Sequence, residues 1–187
     1  RNEATPFVFR AVNRLDRDTS GLVLLAKNPY SSCVLSDAVK DHTIHREYAA
    51  IVSGKTDASG TIDLPIARKD GSTIERVCDP ERGETAVTHY RTFAYNKNAD
   101  LSFIRLLLET GRTHQIRVHM KAIGHPLPGD FLYCPDYRFI DRQPLHSTYL
   151  SFSHPVTGEK LEFSAPLPGD MRKLFPNIKD PSGPVFY

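Results

Sequence analysis

One carboxylate in this chain sits closer to fixed positive charge than any composition average would place it. Asp16 lies in Asn13-Arg14-Leu15-Asp16-Arg17-Asp18-Thr19-Ser20-Gly21, flanked by Arg14 and Arg17. Nearby positive charge lowers a carboxylate's pKa and keeps it ionised. An ionised, positioned carboxylate can act as a nucleophile, and guanidiniums beside it suit an anionic substrate. In isolation such a run is more often a solvated surface turn. A second cluster argues otherwise. In the segment 111–126, Arg112, His114, Gln115, Arg117 and Lys121 follow a glycine turn. The spacing predicts a helix from Thr113, as N-cap, to Ile123, stopped by Gly124. Thr113, Arg117 and Lys121 then share one face. The free amides of the first turn add to Arg112 and Arg117, which suits a phosphate or a carboxylate.

These groups need elements to hold them. Arg46 to Gly54 reads as a strand, with Tyr48, Ala50 and Val52 on one face and Ala49, Ile51 and Ser53 on the other. Strands are also predicted at 7–12, 22–27, 85–93, 101–109, 145–152 and 160–164, and a short helix at 30–42. Residues 61–83 read as turn-rich, with a turn at Asp70-Gly71. Many strands with few helices in irregular alternation indicate an α+β domain on a mixed, largely antiparallel sheet. The expected domain spans 1–175, and a Pro/Gly-rich tail occupies 176–187.

Taken together, NRLDRDTSG, REYAAIVSG and GRTHQIRVHM resemble the three central motifs of the RluA-type RNA pseudouridine synthases. The segments GETAVTHYRTF, GHPLPGDFLY and PLHSTYLSFSHPVTGEKLEFSAPLP resemble further family patterns in the expected order, so the likeness runs from about Val12 to about Leu174. The resemblance implies the family's sheet with a cleft across its middle, and the conversion of uridine in RNA to pseudouridine without cofactor or metal. By the same resemblance Asp16 is the catalytic aspartate, Tyr48 the tyrosine that packs on the target base, and Arg117 the arginine that pairs with the aspartate. Arg14 corresponds to the residue that extrudes the target nucleotide and fills its place. Arg17, Thr19, Arg112, His114 and Gln115 are the expected substrate contacts. Tyr48 is also a candidate general base. Direct attack at C1′ and a route that first removes a ribose proton both remain open.

Asn13 stands where the family usually has histidine or glycine, and Pro128 where it has an aliphatic residue; Asn13 is expected to keep a local hydrogen bond. The resemblance also implies a strand pair ahead of the RLD segment, and in many members a small RNA-binding domain, that this sequence does not include. An inactive RNA-binding fragment is therefore the rival reading. A glycosidase needs two flanking carboxylates, and only Asp18 or Asp130 could supply the second. Neither a P-loop nor a kinase glycine-rich loop is present. His114 and His119 lie five apart, off a common helical face, so no metal is expected.

Composition agrees with a single folded domain: 187 residues, 40% hydrophobic and 25% charged. The net charge of +2 makes nucleic-acid affinity a local matter of the arginine clusters. Cys33, Cys78 and Cys134 are odd in number and scattered, which argues for a reducing compartment and against a disulfide or zinc framework. No run is long and apolar enough to span a membrane, and the sequence opens without an apolar signal segment. The expectation is a cytoplasmic monomer whose partner is ribosomal or transfer RNA.

Overall fold

A run that is apolar on both faces belongs at the centre of a sheet, and β4 (His45–Ser53) is buried without a break from Glu47 to Val52. The computed structural model describes residue 8, residues 10–180 and residues 183–186. The other strands are β1 (Arg10–Ala11), β2 (Ser20–Gly21), β3 (Leu25–Ala26), β5 (Ser59–Asp63), β6 (Ile66–Arg68), β7 (Arg76–Cys78), β8 (Val87–Asn96), β9 (Leu101–Leu108), β10 (Leu145–Ser153) and β11 (Lys160–Ser164). The helices are α1 (Pro29–Lys40), α2 (Gln115–Ala122) and α3 (Gly169–Leu174).

The main sheet runs β11-β10-β4-β9-β8-β5, antiparallel throughout, with β2 added in parallel to the start of β10. β6 and β7 form a separate hairpin. The strand alternation read for β4 holds. Tyr48, Ala50 and Val52 pack with Ile104, Leu106, Ile116 and Met120 on the α2 side; Ala49 and Ile51 pack with Phe103, Met171 and Phe175 on the α3 side. A third cluster joins Leu35 of α1 to Ile44, Leu150 and Phe152. The expected mixed, largely antiparallel α+β architecture is the one observed.

Several boundaries differ, each for a local reason. Of the strand expected at 7–12 the described residues show β1, which ends where the chain leaves the pairing to form the Asp16 loop; Phe7 and Phe9 lie outside the described residues. The strand expected at 22–27 shortens to β3, and β2 forms just ahead of it, where Gly21 takes a φ of 112° and redirects the chain. α1 starts one residue earlier than expected, with Asn28 accepting from the Ser31 amide at 2.8 Å and Pro29 in the first turn. α3 was not foreseen. The described part of the tail packs on the domain: Ile178 joins the Phe175 cluster, and the amides of Val185 and Phe186 donate to Glu47.

Candidate active site

Asp16 stands at the tip of a loop held from both sides. At its base Val12 donates to the Leu24 carbonyl at 2.9 Å, and the Asn13 side chain accepts from the Leu24 amide at 2.8 Å. The local hydrogen bond expected of Asn13 is therefore present. Beyond the tip, the Thr19 amide closes a turn on the Asp16 carbonyl at 3.1 Å, and Asp18 adopts a left-handed φ of 67°. Arg142 donates to the Asp18 carbonyl at 3.0 Å, and Gln143 donates to the Arg17 carbonyl. Gly21 then meets β10 so closely that a β-carbon there would lie 2.2 Å from the Ser147 carbonyl oxygen. Only glycine meets both the conformation and the approach.

The partner of Asp16 comes from far along the chain. Arg117, on α2, donates to Asp16 Oδ2 at 3.3 Å, across 101 residues. Its side chain is 1% exposed, which for a guanidinium demands compensation. Asp130 supplies it, accepting two bonds from Arg117 at 2.6 and 2.8 Å. Asp130 is itself fully buried and accepts the Leu132 and Tyr133 amides at 3.0 and 3.2 Å. Burial alone would lower the Arg117 pKa, but Asp130 and Asp16 outweigh it and raise it. The guanidinium is thus a fixed charge with one fork on Asp130 and one nitrogen left for Asp16. The ring of Tyr133 lies 4.9 Å from its carbon and closes the remaining side.

Tyr48 projects from β4 into the same cleft, a cavity of about 280 Å³ that Asp16, Arg14, Thr19, Arg46, Arg112 and His114 also line. A bulge in β10 beside Ser147, the residue paired with Tyr48, falls where β2 docks. Burial pushes the Tyr48 hydroxyl up from its ordinary value; Arg46 opposes this and Asp16 reinforces it. Burial thus disfavours the ionised hydroxyl that a general-base role would need.

The remaining expected contacts divide. Arg14 is exposed at the cleft, and Thr19 lines it. Arg17 points outward, pairs with Asp18 at 3.1 Å and lies over the Phe131 ring at 4.6 Å, so Arg117, not a sequence neighbour, is the arginine paired with Asp16. The predicted Thr113 cap is also corrected. Helix α2 begins at Gln115 because His114 is left-handed, with a φ of 58°, and no side chain caps it. The face expected of Thr113, Arg117 and Lys121 is therefore not formed: Thr113 precedes the helix, Arg117 is buried and Lys121 is exposed. Gln115, expected to meet substrate, has its amide engaged with protein. Its oxygen accepts from Thr110 and the Arg112 amide; its nitrogen donates to Val87 and Thr88. Arg112 reaches the Thr85 carbonyl and pairs with Glu84. His114 Nδ1 lies 2.8 Å from the Tyr133 hydroxyl, and burial lowers its pKa, so the neutral ring accepts from that hydroxyl.

Sequence reading missed Asp130 as the anchor of Arg117, along with Arg142 and Gln143 as supports of the Asp16 loop. A buried arginine needs a carboxylate, and Asp130, thirteen residues on within GHPLPGD, was the available signal. Among the described residues, no three His, Cys, Asp or Glu side chains are grouped to hold a metal ion, and no helix is long and apolar enough to cross a membrane.

Known proteins resemble this chain in sequence and in fold. The pattern of the family described as RNA pseudouridylate synthase matches residues 1–122. A Bacillus subtilis protein named as an uncharacterized RNA pseudouridine synthase, YjbO, is 51% identical over 164 residues, covering 87% of this chain and 57% of that protein. Ribosomal large subunit pseudouridine synthase D of Zymomonas mobilis is 42% identical over 177 residues, covering 88% and 54%. The solved structure of human RNA pseudouridylate synthase domain containing 1 superposes with a TM-score of 0.75 at 25% identity, covering 94% of this chain and 83% of that one. The chain belongs to the RNA pseudouridylate synthase family. It spans about half the length of the curated relatives it matches.

Proposed function

We propose that this chain is the catalytic part of a cytoplasmic, monomeric RNA pseudouridine synthase, with Asp16 as nucleophile. The proposed unit covers 1–175, with 176–187 as a Pro/Gly-rich tail. The reaction is an isomerisation. The C1′–N1 bond of uridine breaks, the uracil turns within the cleft, and a C1′–C5 bond forms. The proton on C5 leaves and N1 gains one, so the balance calls for no cofactor. Asp16 attacks C1′ as N1 departs, and its ester is released as C5 takes over C1′. Arg117 aims the carboxylate. Tyr48 stacks on the extruded base, offsetting by about 1–3 kcal/mol an extrusion that costs roughly a few kcal/mol. Arg14 occupies the space the nucleotide leaves, and Thr19, Arg112 and His114 border it.

The observation that carries this reading is the 3.3 Å pair of Asp16 with a buried Arg117 in the cleft that also holds Tyr48. Ribosomal RNA is the favoured substrate, because relatives over 40% identical carry ribosomal large subunit names. Pseudouridine mapping in total RNA, from cells with and without the intact protein, tests this. Loss of particular ribosomal positions is expected. Loss in transfer RNA alone would move the substrate. No lost position, with no activity of the full-length protein on any RNA, would leave the inactive RNA-binding reading standing.

A further inference from the structure

Beside the Asp16 cleft lies a second cavity, of about 350 Å³, that the reaction leaves unused. Gly111, Arg112 and Thr113 border both, so the two adjoin. Its lining holds four arginines, Arg68, Arg76, Arg82 and Arg112, against one acid, Glu84. Glu84 pairs with Arg112, and Arg82 is shared between Asp70 at 3.0 Å and Asp79 at 2.8 Å. Arg68 and Arg76 have no carboxylate within 4.0 Å among the described residues; the Arg76 guanidinium meets only the Ile74 and Glu75 carbonyls, at 3.2 and 3.1 Å. Two uncompensated guanidiniums thus face a polar cavity next to the place where a nucleotide would react.

The hairpin that carries them is registered to the site. The Arg76 amide donates to the Tyr133 hydroxyl at 2.9 Å, and that hydroxyl also meets His114. Ile66 exchanges two backbone bonds with Glu84, both at 2.9 Å, and the Asp79 amide donates to the Pro65 carbonyl at 2.8 Å. Ile66 packs with Ala86, Val118 and Tyr133 beneath the hairpin. The arginines are therefore presented at a fixed position relative to Asp16. Guanidinium forks matched to oxyanions are the side chains that take phosphate in bidentate fashion.

We propose that the cavity between the β6–β7 hairpin and Arg112 is the phosphate subsite for the RNA strand flanking the reacting nucleotide, with Arg68 and Arg76 as its two phosphate-binding side chains. The proposal rests on the RNA reading above and deepens it. A strand leaving the Asp16 cleft past Gly111 and Arg112 enters this cavity directly. The two guanidiniums meet backbone oxygens there, so they fix path and register and carry no base preference.

The test is binding of a fluorescein-labelled single-stranded oligouridylate, followed by anisotropy across a salt series. It compares the unsubstituted chain, R68Q/R76Q, and K97Q/K173Q, which removes the same charge near the β8–β9 turn and α3. R68Q/R76Q should weaken binding about tenfold at low salt and flatten the slope of log K against log salt by about 1.4, roughly 0.7 for each phosphate no longer neutralised. K97Q/K173Q should keep the slope. On an RNA that the protein modifies, R68Q/R76Q should raise KM and leave kcat unchanged. Equal flattening of the slope in both double variants, or none in either, overturns the subsite and leaves the RNA reading intact. Failure of the unsubstituted chain to bind RNA at all overturns both. A melting curve matched to the parent shows that R68Q/R76Q is folded; should it not be, R68Q alone is read, with half the slope change expected.

Discussion

Replacing the Asp16 carboxylate with an amide of the same shape separates what this residue does for the fold from what it does for chemistry. At 3.3 Å the attraction between Asp16 and Arg117 is about 5 kcal/mol gross at an effective dielectric near 20. Little of that is lost as stability in Asp16→Asn. Arg117 keeps its two bonds to Asp130, at 2.6 and 2.8 Å, so no buried charge is left unpaired. The Asp16 side chain is 16% exposed, and the amide oxygen can still accept from Arg117. The net loss is therefore about 1 kcal/mol, a fall in Tm of roughly 2–4 °C for a chain this long. Turnover should fall by about four orders of magnitude or more, as for other lone nucleophiles, which is about 5 kcal/mol or more of barrier. Release of tritium from RNA labelled at uridine C5 follows the chemistry, because that hydrogen must leave when C5 bonds to C1′. Thermal unfolding follows the fold. Turnover near that of the parent would sink the nucleophile assignment. A loss of stability on the scale of a broken buried pair would show that Asp16, and not Asp130, is the structural partner of Arg117.

Asp130→Asn should show the opposite balance. It removes the buried fork of Arg117, so a loss of about 3–5 kcal/mol is expected, read as a fall in Tm of roughly 6–20 °C, together with reduced turnover; a melt unchanged from the parent would refute the anchoring role. Tyr48→Phe should retain most of the turnover, since burial disfavours the ionised hydroxyl, whereas Tyr48→Ala should lose roughly 5- to 150-fold through the missing stack; a dead phenylalanine variant would restore the base role to the hydroxyl. Urea midpoints should decline as pH falls below 6.5. Burial lowers the folded-state pKa values of His114, His119 and His146, so the unfolded chain binds protons first, and stability present above 6.5 is lost as pH falls toward the folded values. A second decline should follow below 4.5 as Glu47 protonates, because burial would raise its pKa but His45, the Phe186 and Val185 amides and Arg105 hold it lower; a flat profile from pH 7 to 4 would contradict both.

What the sequence showed and hid follows from the range of the interactions. The unbroken apolar run Tyr48 to Val52 is what a strand covered on both faces carries, so β4 was legible, and the alternation of its side chains placed Tyr48, Ala50 and Val52 on one face. β8 and β9 were also read as strands, at 85–93 and 101–109, close to their observed bounds. Asp16, Tyr48 and Arg117 could be named from motif resemblance, but nothing local says that Arg117 is 1% exposed. That burial depends on Asp130, which arrives through a loop, and a loop's tertiary partner leaves no periodicity. The left-handed turn at His114 likewise defeated the Thr113 cap: threonine is a common N-cap, and no local rule told that the backbone would turn left-handed one residue later. Helix α3 is six residues long and was not foreseen. Its packing through Met171, and not helical propensity, accounts for its presence.

The same strand explains why a charge remote from the cleft bears on it. β4 places Tyr48 on one face and Glu47 on the other, and both are buried. Glu47 gathers Arg105 at 2.6 Å, His45 at 2.8 Å and the tail amides of Val185 and Phe186 at 2.7 and 3.0 Å. A buried carboxylate is poor evidence for net stability, because desolvation offsets much of the Coulombic gain. Register is a different matter. A slip of β4 by one residue would turn Tyr48 out of the cleft and bring Glu47 toward Leu106 and Ile116, away from Arg105 and the tail. An apolar side chain at position 47 would make that slip far cheaper, since hydrophobic burial does not distinguish the two faces. The ion pair behind the sheet therefore specifies which face of β4 meets Asp16, and the tail amides strengthen that choice from the far side.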